Sequence, residues 1–267
     1  MVNLRVKFIR GEEIKFISHL DLMRVFERAL RRSEIPVAYS KGFNPHPQMV
    51  FGLPLSVGVT SQCEYADFKI EDNIEPNEFI QRLNDNLPLG LEIMKASINE
   101  SGTNIMASVA GASYEVLVEH DSNPKTEKFD RMLALYLKEK EIYMEKESKR
   151  KTRMIDIRPM IYAFSIYDAG HLLLPAGIKE AESPKNLDIK DKENEILKAS
   201  QPPEIINFKM ILAAGSRANL KPEFVLKSFS DYTGLTFRIL KIHRLDLFVG
   251  DGESLKDPMS ERVILSI

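Results

Sequence analysis

His19, Arg24, Arg28, Arg31, Lys41, Phe43, Asn44 and His46 are the residues whose types and spacing can do chemistry, and all fall within FISHLDLMRVFERALRRSEIPVAYSKGFNPHPQMVFGLPLSVG, from Phe16 to Gly58. The bend KGFNPHP offers a cation for a phosphate, a ring for stacking, an amide for a base edge and an imidazole. Gly42 removes a side chain where the backbone needs positive φ or a close approach. The plainer alternative is a stiff loop with Phe43 as its buried anchor. Arg24, Arg28 and Arg31 recur at steps of four and three and form one helical stripe. Facing phosphates, such a stripe binds in a salt-dependent manner; otherwise it is a solvated face paired with Asp21 and Glu27. His19 sits in the first turn of the same helix, where the dipole favours the neutral imidazole. That is the form a general base for a ribose hydroxyl requires; the alternative is a half-buried ring bonded to a local carbonyl.

The elements that must position these groups are legible on either side. Ser18 and Asp21 form a capping box that starts a helix at His19. Leu20, Met23, Phe26, Ala29 and Leu30 give it one apolar face. It stops before Pro36, and the run from Lys41 to Pro47 cannot be regular structure. Residues 3 to 10 alternate as a half-buried strand. Gln48 to Leu55 and Glu64 to Ile70 read as strands, Pro76 to Asn86 as a helix and Leu91 to Ile98 as a strand. The order βαββαβ predicts a ferredoxin-like domain over residues 1–100, with a four-stranded antiparallel sheet and both helices on one face.

A small, polar connector spans Asn99 to Ala112, and the pattern then resumes. Strands are expected at Ser113 to Glu119 and Ile142 to Glu147, with a helix over Lys125 to Glu139 between them. A basic turn runs from Lys149 to Arg153, and Met154 to Tyr167 is an apolar run broken at Arg158-Pro159. Phe208 to Ala213 and Thr236 to Leu247 read as strands flanking a helix over Lys221 to Ser230. The expected fold is α+β, with two tandem ferredoxin-like domains, the second over 112–250 with a charged insertion near 178–205. From Ile178 to Pro203 that stretch holds six Asp/Glu and five Lys, a composition that favours solvent. The tail after Gly250 is weakly determined. In this half Arg158 lies in an electropositive edge, while Arg217 and Asn219 precede a helix whose N-terminus can receive an anion. Helix capping alone also explains those two types.

The 267 residues, 43% of them hydrophobic, suffice for two domains, and the net charge of -2 hides an asymmetry. Residues 1–50 hold nine Lys/Arg against five Asp/Glu, whereas 60–100 hold three against nine. The basic character thus lies where the bend lies, which favours a phosphate or polyanion partner. No stretch approaches the roughly 20 apolar residues of a membrane span. The start MVNLRVKFIRG lacks a signal-peptide core, so a cytoplasmic protein is expected. The single cysteine, Cys63, permits neither an internal disulfide nor a thiolate-held iron–sulfur cluster. There is no Walker-type loop, dinucleotide fingerprint or H-E-x-x-H pair, and neither a metal nor a cofactor is expected.

Together ISHLDLMRVFERALRR, PVAYSKGFNPHPQMVFGLPLSVG, IDIRP and AGSRANLKPEFVL resemble the radical SAM-associated proteins, a bacterial domain of unknown function also found fused behind cobalamin-type radical SAM enzymes. The resemblance spans most of the chain and implies a radical SAM enzyme as partner. With one cysteine here, the cluster would belong to that partner. The stretch between His171 and Asn207 is longer than the family pattern. A more distant likeness, in architecture and basic first helix, is to the tandem ferredoxin-like CRISPR repeat-processing endoribonucleases. Of their closing glycine-rich signature only Gly215 and Gly234 are present. The expected function is an accessory protein without catalysis of its own that binds RNA or a nucleotide-bearing substrate for a radical SAM enzyme. The alternative is a metal-independent RNA-cleaving or RNA-modifying enzyme using His19, assisted by Lys41 or His46. A third is a protein–protein adaptor that docks the partner through the same motif.

Overall fold

Alternation sets the first strand, β1 (Val2–Arg10). Leu4, Val6 and Phe8 are buried on one side of it, where they meet Leu22, Phe26, Ala29 and Leu30 of α1 (His19–Arg32). The computed structural model describes residues 1–120, 126–148, 151–167, 204–250, 254–260 and 262–266. After α1 come β2 (Met49–Phe51), β3 (Thr60–Ile70), α2 (Pro76–Asn84) and β4 (Leu91–Ile98). These strands lie in the order β4-β1-β3-β2, each antiparallel to its neighbour. Phe79 and Leu83 of α2 enter the same core as α1, so both helices cover one face. The strand expected to reach Leu55 ends at Phe51, where Gly52 and Pro54 interrupt it.

The stretch expected as a mere connector contains α3 (Ile105–Ser108) and the beginning of β5 (Val109–His120). There follow α4 (Thr126–Lys138), β6 (Tyr143–Ser148), β7 (Lys151–Asp156) and β8 (Ile161–Ile166). The chain closes with β9 (Glu204–Ala213), α5 (Pro222–Thr233), β10 (Phe237–Gly250), β11 (Ser254–Lys256) and β12 (Val263–Ser266). The order here is β10-β5-β9-β8. Its helices share a core in which Phe129 and Tyr136 of α4 and Val225 and Phe229 of α5 meet Val116, Phe208 and Ile242 of the sheet. The strand expected at 142–147 is β6, which pairs only with β7 as a separate hairpin, while β8 takes the sheet position. The tail after Gly250 forms the β11–β12 hairpin against β10. The charged insertion, up to residue 203, and Lys149 and Arg150 lie outside the described residues.

The protein is therefore α+β, with one large, mostly antiparallel ten-stranded sheet running through both halves. The halves join where β10 runs parallel to β3, His243 opposite Thr60 and Arg244 opposite Ser61. Beside that short pairing, Arg244 Nη1 donates to both Glu64 carboxylate oxygens at 2.9 and 3.0 Å and to the Leu53 carbonyl at 3.3 Å. Arg244 is 2% and Glu64 4% exposed. Removing one partner of such a buried pair leaves a desolvated group unmatched and costs about 3–5 kcal/mol. Arg244→Ala is expected to lose that much in urea unfolding at neutral pH, whereas the joint change Glu64→Leu with Arg244→Met recovers most of it. Equal losses in the single and joint variants would show that the pair is not what holds the joint.

Candidate functional site

The Ser18 hydroxyl caps α1, accepting from the Asp21 amide at 3.2 Å and donating to its carboxylate at 2.7 Å. That bond, followed by Arg24 at 3.0 Å, holds the exposed Asp21 carboxyl below its ordinary range. Leu22, Phe26, Ala29 and Leu30 pin one side of the helix to the core, which turns Arg24, Arg28 and Arg31 outward, and all three are exposed. Among the described residues no ion pair engages Arg28 or Arg31. Leu20, which the sequence put on the apolar face, is exposed together with Phe16 and Val57.

The bend hangs from a narrow neck. The Ser40 amide donates to the His46 carbonyl at 2.9 Å, the Gln48 amide to Ala38 at 2.7 Å and the Lys69 amide of β3 to Gln48 at 3.0 Å. The His46 amide donates to the Ser40 hydroxyl at 3.0 Å. Beyond the neck every residue from Lys41 to His46 is exposed. Gly42 has φ +135°, and a Cβ there would meet nothing within 4 Å, so backbone freedom rather than space requires glycine. Phe43, expected either as stacking ring or as buried anchor, is 106% exposed. It anchors nothing. A cleft of about 380 Å³ opens beside the neck, lined by Ser40, His46, Gln48, Asp67 and Asn104 among others.

One contact fixes bend to helix: His46 Nδ1 lies 3.2 Å from Glu27 Oε1. On a helix the residues three before and four after Glu27, Arg24 and Arg31, lie on its own side. The bend and the arginine stripe therefore share one exposed surface. His19 does not join them. It stands eight residues before Glu27, about 12 Å along the helix axis, with its ring edge-on to Phe51 at 5.5 Å.

Burial, then the Arg10 charge, pushes the His19 imidazole below its ordinary range. Arg10 itself is 1% exposed, and its Nε and Nη1 have no hydrogen-bond partner among the described residues. Sequence reasoning passed over Arg10, although its parity with Leu4, Val6 and Phe8 marked it as inward-facing. Elsewhere, Arg158 is spent on structure, donating to the Leu137 carbonyl at 3.0 Å and the Ile161 carbonyl at 3.1 Å. Arg217 and Asn219 are exposed in the turn between β9 and α5. Gly215 in that turn has φ +117° and a Cβ there would stand 2.1 Å from the Val109 carbonyl oxygen, so the turn is packed on the start of β5. None of these three lies on the surface shared by α1 and the bend.

A model of the family described as "Uncharacterized protein conserved in bacteria (DUF2344)" matches residues 3–222. No curated protein matches the chain. Among solved structures it is similar to a chain of a Cbf5-Nop10-Gar1 complex, at 10% identity over 94% of this chain and 50% of that one, with a TM-score of 0.48. It is also similar to a chain of an archaeal box H/ACA sRNP Nop10-Cbf5 complex, at 10% identity over 91% and 46%, with a TM-score of 0.40. A chain of an H/ACA RNP bound to a substrate RNA containing 2′-deoxyuridine follows, at 9% identity over 91% and 46%, also with a TM-score of 0.40. The chain thus spans about half the length of the chains it matches.

His19 and His243 are both depressed chiefly by burial, so the unfolded chain binds their protons more tightly. Stability present above the ordinary imidazole value of 6.5 falls as pH drops through it toward the folded values. In His19→Gln the loss of stability between about pH 7 and about pH 5 is expected to shrink, measured by denaturant unfolding at each pH. A variant that declines as steeply as the parent would show that His19 is freely solvated.

Proposed function

The chain belongs to the bacterial DUF2344 family, and for this member we propose an accessory role, in which α1 and the bend bind single-stranded RNA or a nucleotide-bearing substrate and present it to a radical SAM enzyme. The observation that carries this reading is the bare Phe43 ring, held out from a neck that His46 and Glu27 fasten to a row of exposed arginines. A ring with no packing partner beside solvated guanidiniums suits a ligand with alternating flat and anionic parts. The likeness of the SHLD helix, the GFNPHP bend and the IDIRP and AGSRANLK stretches to radical SAM-associated proteins supports the partner. The single cysteine is consistent with chemistry done elsewhere. With this goes a cytoplasmic location.

We further propose that each half is a ferredoxin-like domain. The strand orders β4-β1-β3-β2 and β10-β5-β9-β8 support this, with two helices on one face in each case. The β6–β7 hairpin is then an insertion between α4 and β8. The endoribonuclease alternative is supported only by the neutral His19, because Lys41 and His46 lie with the bend, two helical turns away.

Because Phe43 is exposed, its replacement tests binding without disturbing the core. In gel shifts with a single-stranded RNA pool, Phe43→Ala is expected to weaken binding roughly tenfold. Arg24→Ala with Arg28→Ala should weaken it across sequences and flatten its salt dependence by about two units of slope. Parental affinity and slope in both variants would sink the reading. Cleavage of the pool in EDTA that His19→Ala abolishes would replace it with the catalytic one. Capture of a radical SAM enzyme that resists both salt and RNase would favour the adaptor.

A further inference from the structure

In the second half the sheet carries its helices on one face only, and the other face holds a groove of about 770 Å³. Its floor is a polar row set by register. Glu115 of β5 stands opposite His243 of β10 on one side and Lys209 of β9 on the other. Facing side chains at such positions have Cβ atoms about 5 Å apart. His243 is held by Thr60, whose hydroxyl lies 2.7 Å from its Nδ1. Lys209 lies over the Tyr167 ring, 5.5 Å from its centre. Phe248 adds a second aromatic wall.

One atom in the groove is out of balance. Asn207 Nδ2 donates to Glu115, and this orients the amide. Its Oδ1, on a residue 5% exposed, then has no hydrogen-bond partner among the described residues. A buried carbonyl oxygen without a donor is costly, and buried polar atoms are nearly always satisfied. The missing partner must bring an N–H or O–H group, next to a carboxylate that also accepts and an ammonium that donates.

We propose that this groove is a guanine-recognition site. Among the nucleobases only guanine presents two adjacent N–H donors, on N1 and N2, followed by an acceptor, O6, along one edge. Its donors meet Glu115 and the Asn207 carbonyl oxygen, O6 meets the Lys209 ammonium, and the base lies against Tyr167 or Phe248. Adenine offers one amino donor beside the ring acceptor N1, cytosine one amino donor beside the ring acceptor N3, and uracil one N–H between two carbonyls, so each leaves an acceptor of the pair unmatched. The site stands apart from the surface of α1 and the bend and does not depend on RNA binding there.

The same edge is available from a free nucleotide or from a base in RNA. The test titrates the full chain with guanosine and adenosine 5′-monophosphates and, separately, with a uridine oligonucleotide that contains one guanine and its all-uridine counterpart. At least one guanine probe is expected to bind roughly tenfold or more tightly than its control. Preference seen only with the monophosphates identifies a free nucleotide, and preference seen only with the oligonucleotide identifies RNA. Glu115→Gln should abolish the preference. If Glu115→Gln does not fold, Lys209→Met, at an exposed side chain, takes its place. Equal binding of guanine and control probes, no binding of any of them, or a preference that survives these groove substitutions overturns the proposal.

Discussion

The contact between Arg244 and Glu64 is the constraint on which the rest of the structure depends. The edge of β3 is divided: β2 pairs with it opposite Ala66 to Phe68, and β10 only at Thr60 and Ser61. Two registered pairs are too few to fix one half against the other by backbone bonding alone. The joint is held by side chains as well: a buried guanidinium donates to both oxygens of a buried carboxylate, Thr60 meets His243, Cys63 meets Asp246, and Leu55, Val59 and Tyr65 share an apolar cluster with Tyr114 and Leu247 of the second half. Burial pushes the Glu64 carboxyl up, and Arg244 and then Arg10 oppose that push. Burial opposes the Arg244 charge, but the facing Glu64 carboxylate and then Tyr114 outweigh it, and the guanidinium holds its proton more firmly than an ordinary arginine. The groove is tied to this joint, since His243, one residue before Arg244, lines it and is held by Thr60 across the same pairing.

Around that joint, charge is arranged by a simple rule. Glu64 and Arg244 are buried and paired with each other, and Arg10 is buried beside them, whereas Arg24, Arg28 and Arg31 are solvated. The former cost desolvation and repay it through specificity of packing; the latter contribute almost nothing to stability. Exposed arginines and a bare phenylalanine gathered on one surface are not explained by folding. Glu27 narrows the interpretation further, because an acidic residue within a basic stripe is accounted for by its bond to His46.

Local patterns carried most of the fold. The capping box at Ser18 and Asp21, the alternation of β1 and the apolar steps along α1 each act within a few residues, and they appear where the sequence put them except at Leu20, which is exposed while Leu22 is buried. What eluded the sequence depends on pairing at long range. Nothing in YMEKES announces that β6 pairs with β7 alone, because a two-stranded ribbon and a sheet strand share one alternation. The single sheet could not be read either, since it rests on Arg244 meeting Glu64 across 180 positions. At the site, the exposed bend followed from glycine and proline chemistry. The fate of Phe43 did not, because a phenylalanine at a loop tip reads equally well as an anchor or as a free ring. The groove is built from Glu115, Asn207, Lys209 and His243, which register alone brings together.

The two halves share their strand order yet treat their helix-free faces differently, and this explains why the groove lies where it does. In the first half Arg5 fills the position. It is buried, pairs with Asp67 through two bonds of 2.7 and 2.9 Å, and donates to the Thr103 and Pro258 carbonyls. Segments from the connector and from the stretch after β11 are thereby drawn across the sheet, and Asp67 also accepts from the Ile105 amide at 3.1 Å. Cys63 is sealed in the same way, its thiol donating to Asp246 at 2.7 Å and pushed up to about 12 chiefly by burial. In the second half, among the described residues, no arginine plays the part of Arg5. Its polar row instead ends in an amide oxygen that no donor among the described residues reaches. A covered face needs every polar group matched, and the unmatched oxygen is the feature of the helix-free face of the second half that the proposed guanine edge would satisfy.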